Sequence, residues 1–184
     1  MTLLQTPFCD TGLIAPDFDL LGVNNKHWTR DDCMGEHGLL VMFICNHCPY
    51  VKAIQQRLVE DMAVLQDNGI GVVAIMSNDP DDYPEDSFES MQQVAKDKQY
   101  NFPYLIDSTQ QVAKAYKAIC TPDFFGYNRQ GELQYRGRLD ETGQKLNVKI
   151  EKRELVEAML LVANTGIGPT EQEPSIGCSI KWIA

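Results

Sequence analysis

No stretch of the 184-residue sequence approaches the roughly 20 apolar residues that a bilayer-spanning helix needs, so no membrane-embedded role is expected. Basic residues are scarce: 16 Lys and Arg face 26 Asp and Glu, a net charge of −10. A surface of that sign repels phosphate backbones and anionic head groups, so nucleic acid and membranes are not expected partners. The opening segment MTLLQTPFC lacks the basic residue and apolar run of a secretory leader, which points to a cytoplasmic protein. Repeats, low-complexity tracts and linker-like stretches are absent too, and the length fits one domain over residues 1–184.

The chain has six cysteines: Cys9, Cys33, Cys45, Cys48, Cys120 and Cys178. They are too few for a disulfide-stapled miniprotein, and in a reducing compartment they read as reactive or buried thiols. There is a single CxxC pair, whereas structural zinc takes about four ligands, commonly from two such pairs. Covalent haem needs His directly after the second cysteine, where this chain has Pro49. No metal and no cofactor are expected.

The hydrophobic pattern alternates strand and helix. Residues 1–38 are rich in turn signals, with one short strand marked by Phe18 and Leu20. Leu39–Ile44 is apolar throughout and short, as in a strand buried on both faces. After Pro49, residues Val51, Ile54, Leu58, Met62 and Leu65 form one helix face, which Asn68-Gly69 ends. Ile70–Met76 reads as a second buried strand. A polar loop over 77–84, a helix over 85–99, a strand over Phe102–Ile106 and a helix over Gln110–Ala118 follow. Pro122–Asn128 and Glu132–Arg138 read as a hairpin, the second strand alternating apolar and polar residues. A last helix carries Leu155 to Ala163, and 165–184 is left as a tail. This order predicts an α/β fold with a central mixed sheet flanked by helices.

Cys45-Asn46-His47-Cys48 stands where a buried strand gives way to a helix. Helix N-termini offer unpaired amide hydrogens and the positive end of the macrodipole, and such sites lower a cysteine pKa to roughly 3.5–7.5. The two-residue spacing also lets the sulfurs meet within the first helical turn. Cys45 and Cys48 are therefore the candidate catalytic residues.

The segments FICNHCPYVK, CTPDFFGYN and YRGRLD, with APDFDL near the start and IGCSIKW near the end, resemble the redoxin branch of the thioredoxin superfamily. More narrowly, they resemble the peroxiredoxin-like proteins grouped with the alkyl hydroperoxide reductase and thiol-specific antioxidant family. The resemblance implies a thioredoxin-like fold with an N-terminal extension and a C-terminal tail, a redox-active CxxC, and a cis proline at Pro122 beside a substrate groove. Asn46, His47, Thr121 and Pro122 become candidate substrate-binding residues. Classical thioredoxins carry a buried Asp six residues before the first cysteine, where this chain has Leu39. Aligned on Cys48-Pro49, the peroxiredoxin Pro and Thr positions hold Val41 and Cys45, which removes the peroxide-orienting hydroxyl.

The expected activity is thiol–disulfide exchange: Cys45, taken as the more exposed sulfur, attacks a substrate disulfide and Cys48 resolves the mixed disulfide. His47 is expected to stabilise the thiolate and raise the reduction potential above thioredoxin's, about −270 mV. Partners are then a disulfide-bearing protein or small thiol and a cellular reductant. Two other classes stay open: a thiol peroxidase with Cys48 attacking peroxide, and a binding module without catalysis. Cys120, Arg138 and Cys178 are candidate accessory residues, Cys178 as a resolving thiol on a mobile tail. The acidic run Asp79, Asp81, Asp82, Glu85, Asp86, Glu89 reads as a solvated helix cap.

Overall fold

The computed structural model describes residues 2–145 and 149–183. Its backbone begins with β1 (Leu3–Gln5), a hairpin of β2 (Asp19–Gly22) and β3 (His27–Thr29), and a single turn, α1 (Arg30–Cys33). Then come β4 (Gly38–Phe43), α2 (Pro49–Asp67), β5 (Ile70–Met76), a 3-10 turn over Pro84–Asp86 and α3 (Phe88–Asp97). The second half runs β6 (Tyr104–Ile106), α4 (Gln111–Tyr116), β7 (Cys120–Thr121), β8 (Asp123–Asn128), β9 (Leu133–Tyr135), α5 (Glu154–Thr165) and β10 (Ile176–Ser179).

Among the described residues, seven strands form a mixed sheet in the order β3-β2-β6-β5-β4-β8-β9. β4, β5 and β6 are parallel, and β8 runs antiparallel to β4. β4 lies between β5 and β8 with every residue buried, as an uninterrupted apolar run requires. Its side chains divide by parity. Leu40, Met42 and Ile44 pack with α2 and α5, whereas Leu39, Val41 and Phe43 pack on the opposite face with Ala113 and Tyr116 of α4. The predicted stripe of α2 is fully buried, and Gly69 takes a positive φ of 74° just past its end. This is the expected thioredoxin-like arrangement of a central mixed sheet between helices.

Three expectations are corrected. The 165–184 region contains a strand: β10 lies between β1 and β7 in a second, antiparallel sheet. The turn-rich opening holds the β2–β3 hairpin, turning at Asn24-Asn25, as well as β1. β9 is covered on both faces, so Gln134 and Arg136 are buried despite their alternation with Leu133 and Tyr135. The cause is Gln172, whose side chain accepts from the Arg136 amide and donates to the Gln134 carbonyl, taking the place of a further strand.

Candidate active site

The β4–α2 junction delivers both cysteines. Cys48 is the N-cap of α2 and Pro49 its first residue, where a missing N–H leaves no bond unmade. The third wall comes from β7 and its Thr121-Pro122 bond, which is cis. Cys45 Sγ lies 3.3 Å from Thr121 Oγ1, and Cys48 Sγ lies 3.1 Å from the Thr121 carbonyl oxygen. Thr121 thus contacts both sulfurs and supplies a hydroxyl from an element distant in sequence.

Exposure does not separate the two cysteines as expected. Both are buried, Cys45 at 1% and Cys48 at 0%, so exposure gives no ground for choosing the entering sulfur. Electrostatics separates them instead. Cys48 is held down to about 4, first because Cys45 donates to it; burial opposes this, while Cys178 and the Val51 amide favour the anion. Cys45 is pushed well above the usual thiol value by that donation, by burial and by the Asp86 charge, with the Thr121 hydroxyl working the other way. The Thr121 carbonyl can accept from a Cys48 thiol but offers nothing to a thiolate, so it tempers the effect.

Asp86 is the residue the sequence concealed. Grouped there with a solvated acidic run, it is fully buried at the end of the 3-10 turn. Its Oδ1 accepts from the amides of Asn46 (2.7 Å) and His47 (3.3 Å), and its Oδ2 bonds His47 Nδ1 (2.6 Å) and the Asn78 amide group (2.8 Å). Burial raises its carboxyl, but the hydrogen bonds from His47 and Asn78 outweigh that and hold it below the ordinary carboxylate value. Nothing in the sequence distinguishes Asp86 from its exposed neighbours, because its role depends on where the loop folds back.

The two residues between the cysteines are therefore structural as well. Asn46 donates to the Glu85 carbonyl and accepts from the Tyr104 hydroxyl at 3.0 Å. His47 stacks on Tyr83 with ring centroids 4.8 Å apart, and its buried Nε2 has no hydrogen-bond partner among the described residues. Cys45, His47 and Asp86 place donor atoms within 4.8 Å of one another. The carboxylate oxygens are already occupied by four donors, so hydrogen bonds hold this cluster together.

The accessory candidates divide. Cys178 is no mobile-tail residue: it is buried in β10, opposite Thr121 in register, with its Sγ 3.1 Å from Cys48 Sγ. Cys120 is buried with its thiol 3.7 Å from the Pro122 carbonyl, and burial pushes its pKa far up. Arg138 is bound to Glu154 through two hydrogen bonds of 2.5 and 2.9 Å, an ion pair rather than a thiolate partner. The whole YRGRLD segment is pinned in this way, since Arg136 pairs with buried Asp123 and Asp140 accepts from Arg57. A cleft of about 230 Å³, lined by neither cysteine, shares Pro122 with the site and is bounded by Tyr50, Phe124, Arg138, Ser175 and Ile176 among others.

The chain is 42% identical to an uncharacterized conserved protein from Geobacillus kaustophilus, over 100% of this chain and 97% of that one, with a TM-score of 0.92. It is 38% identical to a hypothetical protein from Sinorhizobium meliloti, over 98% of each chain, again with a TM-score of 0.92. At the level of fold alone, the thioredoxin domain of a thiol-disulfide oxidoreductase from Bacteroides vulgatus matches with a TM-score of 0.59 and 14% identity, over 86% of this chain and 98% of that one. Curated proteins give no match. The family model for AhpC/TSA matches residues 11–136, a span that takes in both cysteines, Asp86 and Thr121-Pro122, and the chain belongs to the AhpC/TSA family.

Proposed function

We propose that the protein is a thiol–disulfide oxidoreductase whose reactive pair is Cys45 and Cys48. The observation that carries this reading is the placing of Cys48 at the N-cap of α2, with both sulfurs in contact with Thr121 beside the cis Pro122. Cys48 is then the entering nucleophile, the reverse of the order expected from the sequence. Its thiolate attacks a substrate disulfide, forming one S–S bond and releasing the distal thiolate. Cys45 next attacks the Cys48 sulfur, the intramolecular disulfide forms, and the Cys45 proton goes to the second leaving thiol. A thiol donor returns the pair to the dithiol. The substrate is a disulfide-bearing protein or small thiol compound, and the cleft at Tyr50 and Pro122 is its docking groove.

An anion stabilised at Cys48 favours the reduced form, so the couple is expected above about −270 mV. The deciding experiment is alkylation by iodoacetamide from pH 3 to 10 with mass mapping. Cys48 labelling is expected to hold steady above about pH 5 and to fall below about pH 4, where the thiolate is protonated. Labelling of Cys45 first, or of neither cysteine below pH 8, rejects the assignment.

A second reading is favoured by family membership and by the Cys48-Pro49 pair: reduction of peroxide at Cys48. The thiolate and a proton convert hydrogen peroxide to water and a sulfenic acid, which Cys45 condenses to the disulfide with loss of a second water. Dithiothreitol-dependent peroxide consumption that disappears in Cys48→Ser supports it, and its absence in the wild type removes it.

A further inference from the structure

Cys178 comes from the opposite end of the sequence, yet its sulfur is 3.1 Å from that of Cys48. The backbone is built for this approach. β10 pairs with β7 so that Cys178 faces Thr121, the residue that contacts both Cys45 and Cys48. Gly177 makes the pairing possible: a Cβ there would lie 2.0 Å from the Thr121 carbonyl oxygen and 3.0 Å from the Pro122 nitrogen, so any other residue pushes β10 away. Cys178 is 3% exposed and therefore reaches no bulky partner outside the fold before reaching Cys48. Its thiol is raised to about 12, by burial and then by its hydrogen bond to Cys48, which leaves a proton-bearing sulfur beside an ionised one.

We propose that Cys178 is a third redox thiol of this site, able to take over the disulfide from Cys45 by bonding to Cys48. The inference rests on the dithiol reading above and extends it. From the Cys45–Cys48 disulfide, the Cys178 sulfur attacks Cys48. The Cys48–Cys178 bond forms, the Cys45–Cys48 bond breaks, and the electron pair leaves on Cys45, which takes the Cys178 proton. No external oxidant is consumed in the exchange. Cys45 is thereby returned to a free thiol beside the Thr121 hydroxyl, and β10 becomes covalently tied to the start of α2. From a Cys48–substrate mixed disulfide the same attack expels the substrate thiol, with Cys178 supplying its proton.

The test is disulfide mapping of protein oxidised with diamide, quenched in acid, alkylated and digested without reduction. Wild type is expected to yield a Cys48–Cys178 cross-linked peptide alongside Cys45–Cys48. Cys45→Ser is expected to lose alkylation at Cys48 and Cys178 together, with both in one peptide. Wild type holding Cys45–Cys48 alone, with no bridge to Cys178 in Cys45→Ser, overturns the proposal. The wild-type map decides by itself if the variant fails to fold. A chain in which neither wild type nor Cys178→Ser forms Cys45–Cys48 instead loses the dithiol reading, a separate failure.

Discussion

A single buried carboxylate organises the reactive loop. Asp86 receives two loop amides and fixes His47 through Nδ1, so the CxxC turn is held from below as well as by its helix. Buried hydrogen-bond donors left without an acceptor cost about 1–3 kcal/mol each. Asp86→Ala is accordingly expected to lower stability by about 3 kcal/mol in urea denaturation, with the loss concentrated at the loop. Asp86→Asn separates charge from scaffold, because it keeps an acceptor for the amides and removes the negative charge that opposes ionisation of Cys45. Faster alkylation of Cys45 at pH 9 with unchanged Cys48 labelling is the expected result. Equal acceleration at both sulfurs would mean that the loop had merely loosened. The sequence displayed the two cysteines and Thr121-Pro122 because motif and position mark them. It hid Asp86 because an acid in a polar loop is ordinarily solvated.

Among the elements, burial decides which charges matter. Arg136 and Asp123 are 7% and 0% exposed as side chains, and the guanidinium also lies 4.4 Å from the Phe125 ring centroid. Removing one member of such a pair strands the other, at a cost of about 3–5 kcal/mol, which is the expected effect of Asp123→Ala in urea denaturation. Arg138 is a third exposed, so loss of its pair with Glu154 is expected to cost under about 1 kcal/mol. The contrast also explains what was legible. β4, α2 and β5 were evident because their periods of burial are local properties of the chain. β9 misled because its outer face is covered by Gln172, and β10 was missed because Ile176–Ser179 shows no period of its own and pairs with segments far away in sequence.

At the scale of the molecule, several acidic hydrogens are held more tightly folded than unfolded. Burial raises Cys33 and Tyr100 to about 12, and Cys178 to the same value with help from Cys48. Between about pH 9 and 12 the unfolded chain releases these protons while the folded one keeps them, so it binds fewer protons and stability falls as pH rises. The melting temperature is expected to decline from pH 9 to 11. A rising midpoint over that range would contradict the burial of these groups. Cys48 shifts in the opposite direction: between about pH 4 and 9 only the unfolded chain holds its proton, so its contribution rises up to pH 9 and is flat above, and Cys48→Ser is expected to remove that rise and leave the alkaline decline from Cys33 and Tyr100.

The antiparallel trio of β1, β10 and β7 joins Leu3 to Cys178 and Cys178 to Thr121. A ribosome therefore releases the CxxC helix long before it releases the segment that covers it. During that interval Cys48 meets solvent with its neighbour missing, and closing so large a loop is among the slower steps of chain organisation. Protection of the thiols is a property acquired late, when the segment carrying β10 threads back between β1 and β7.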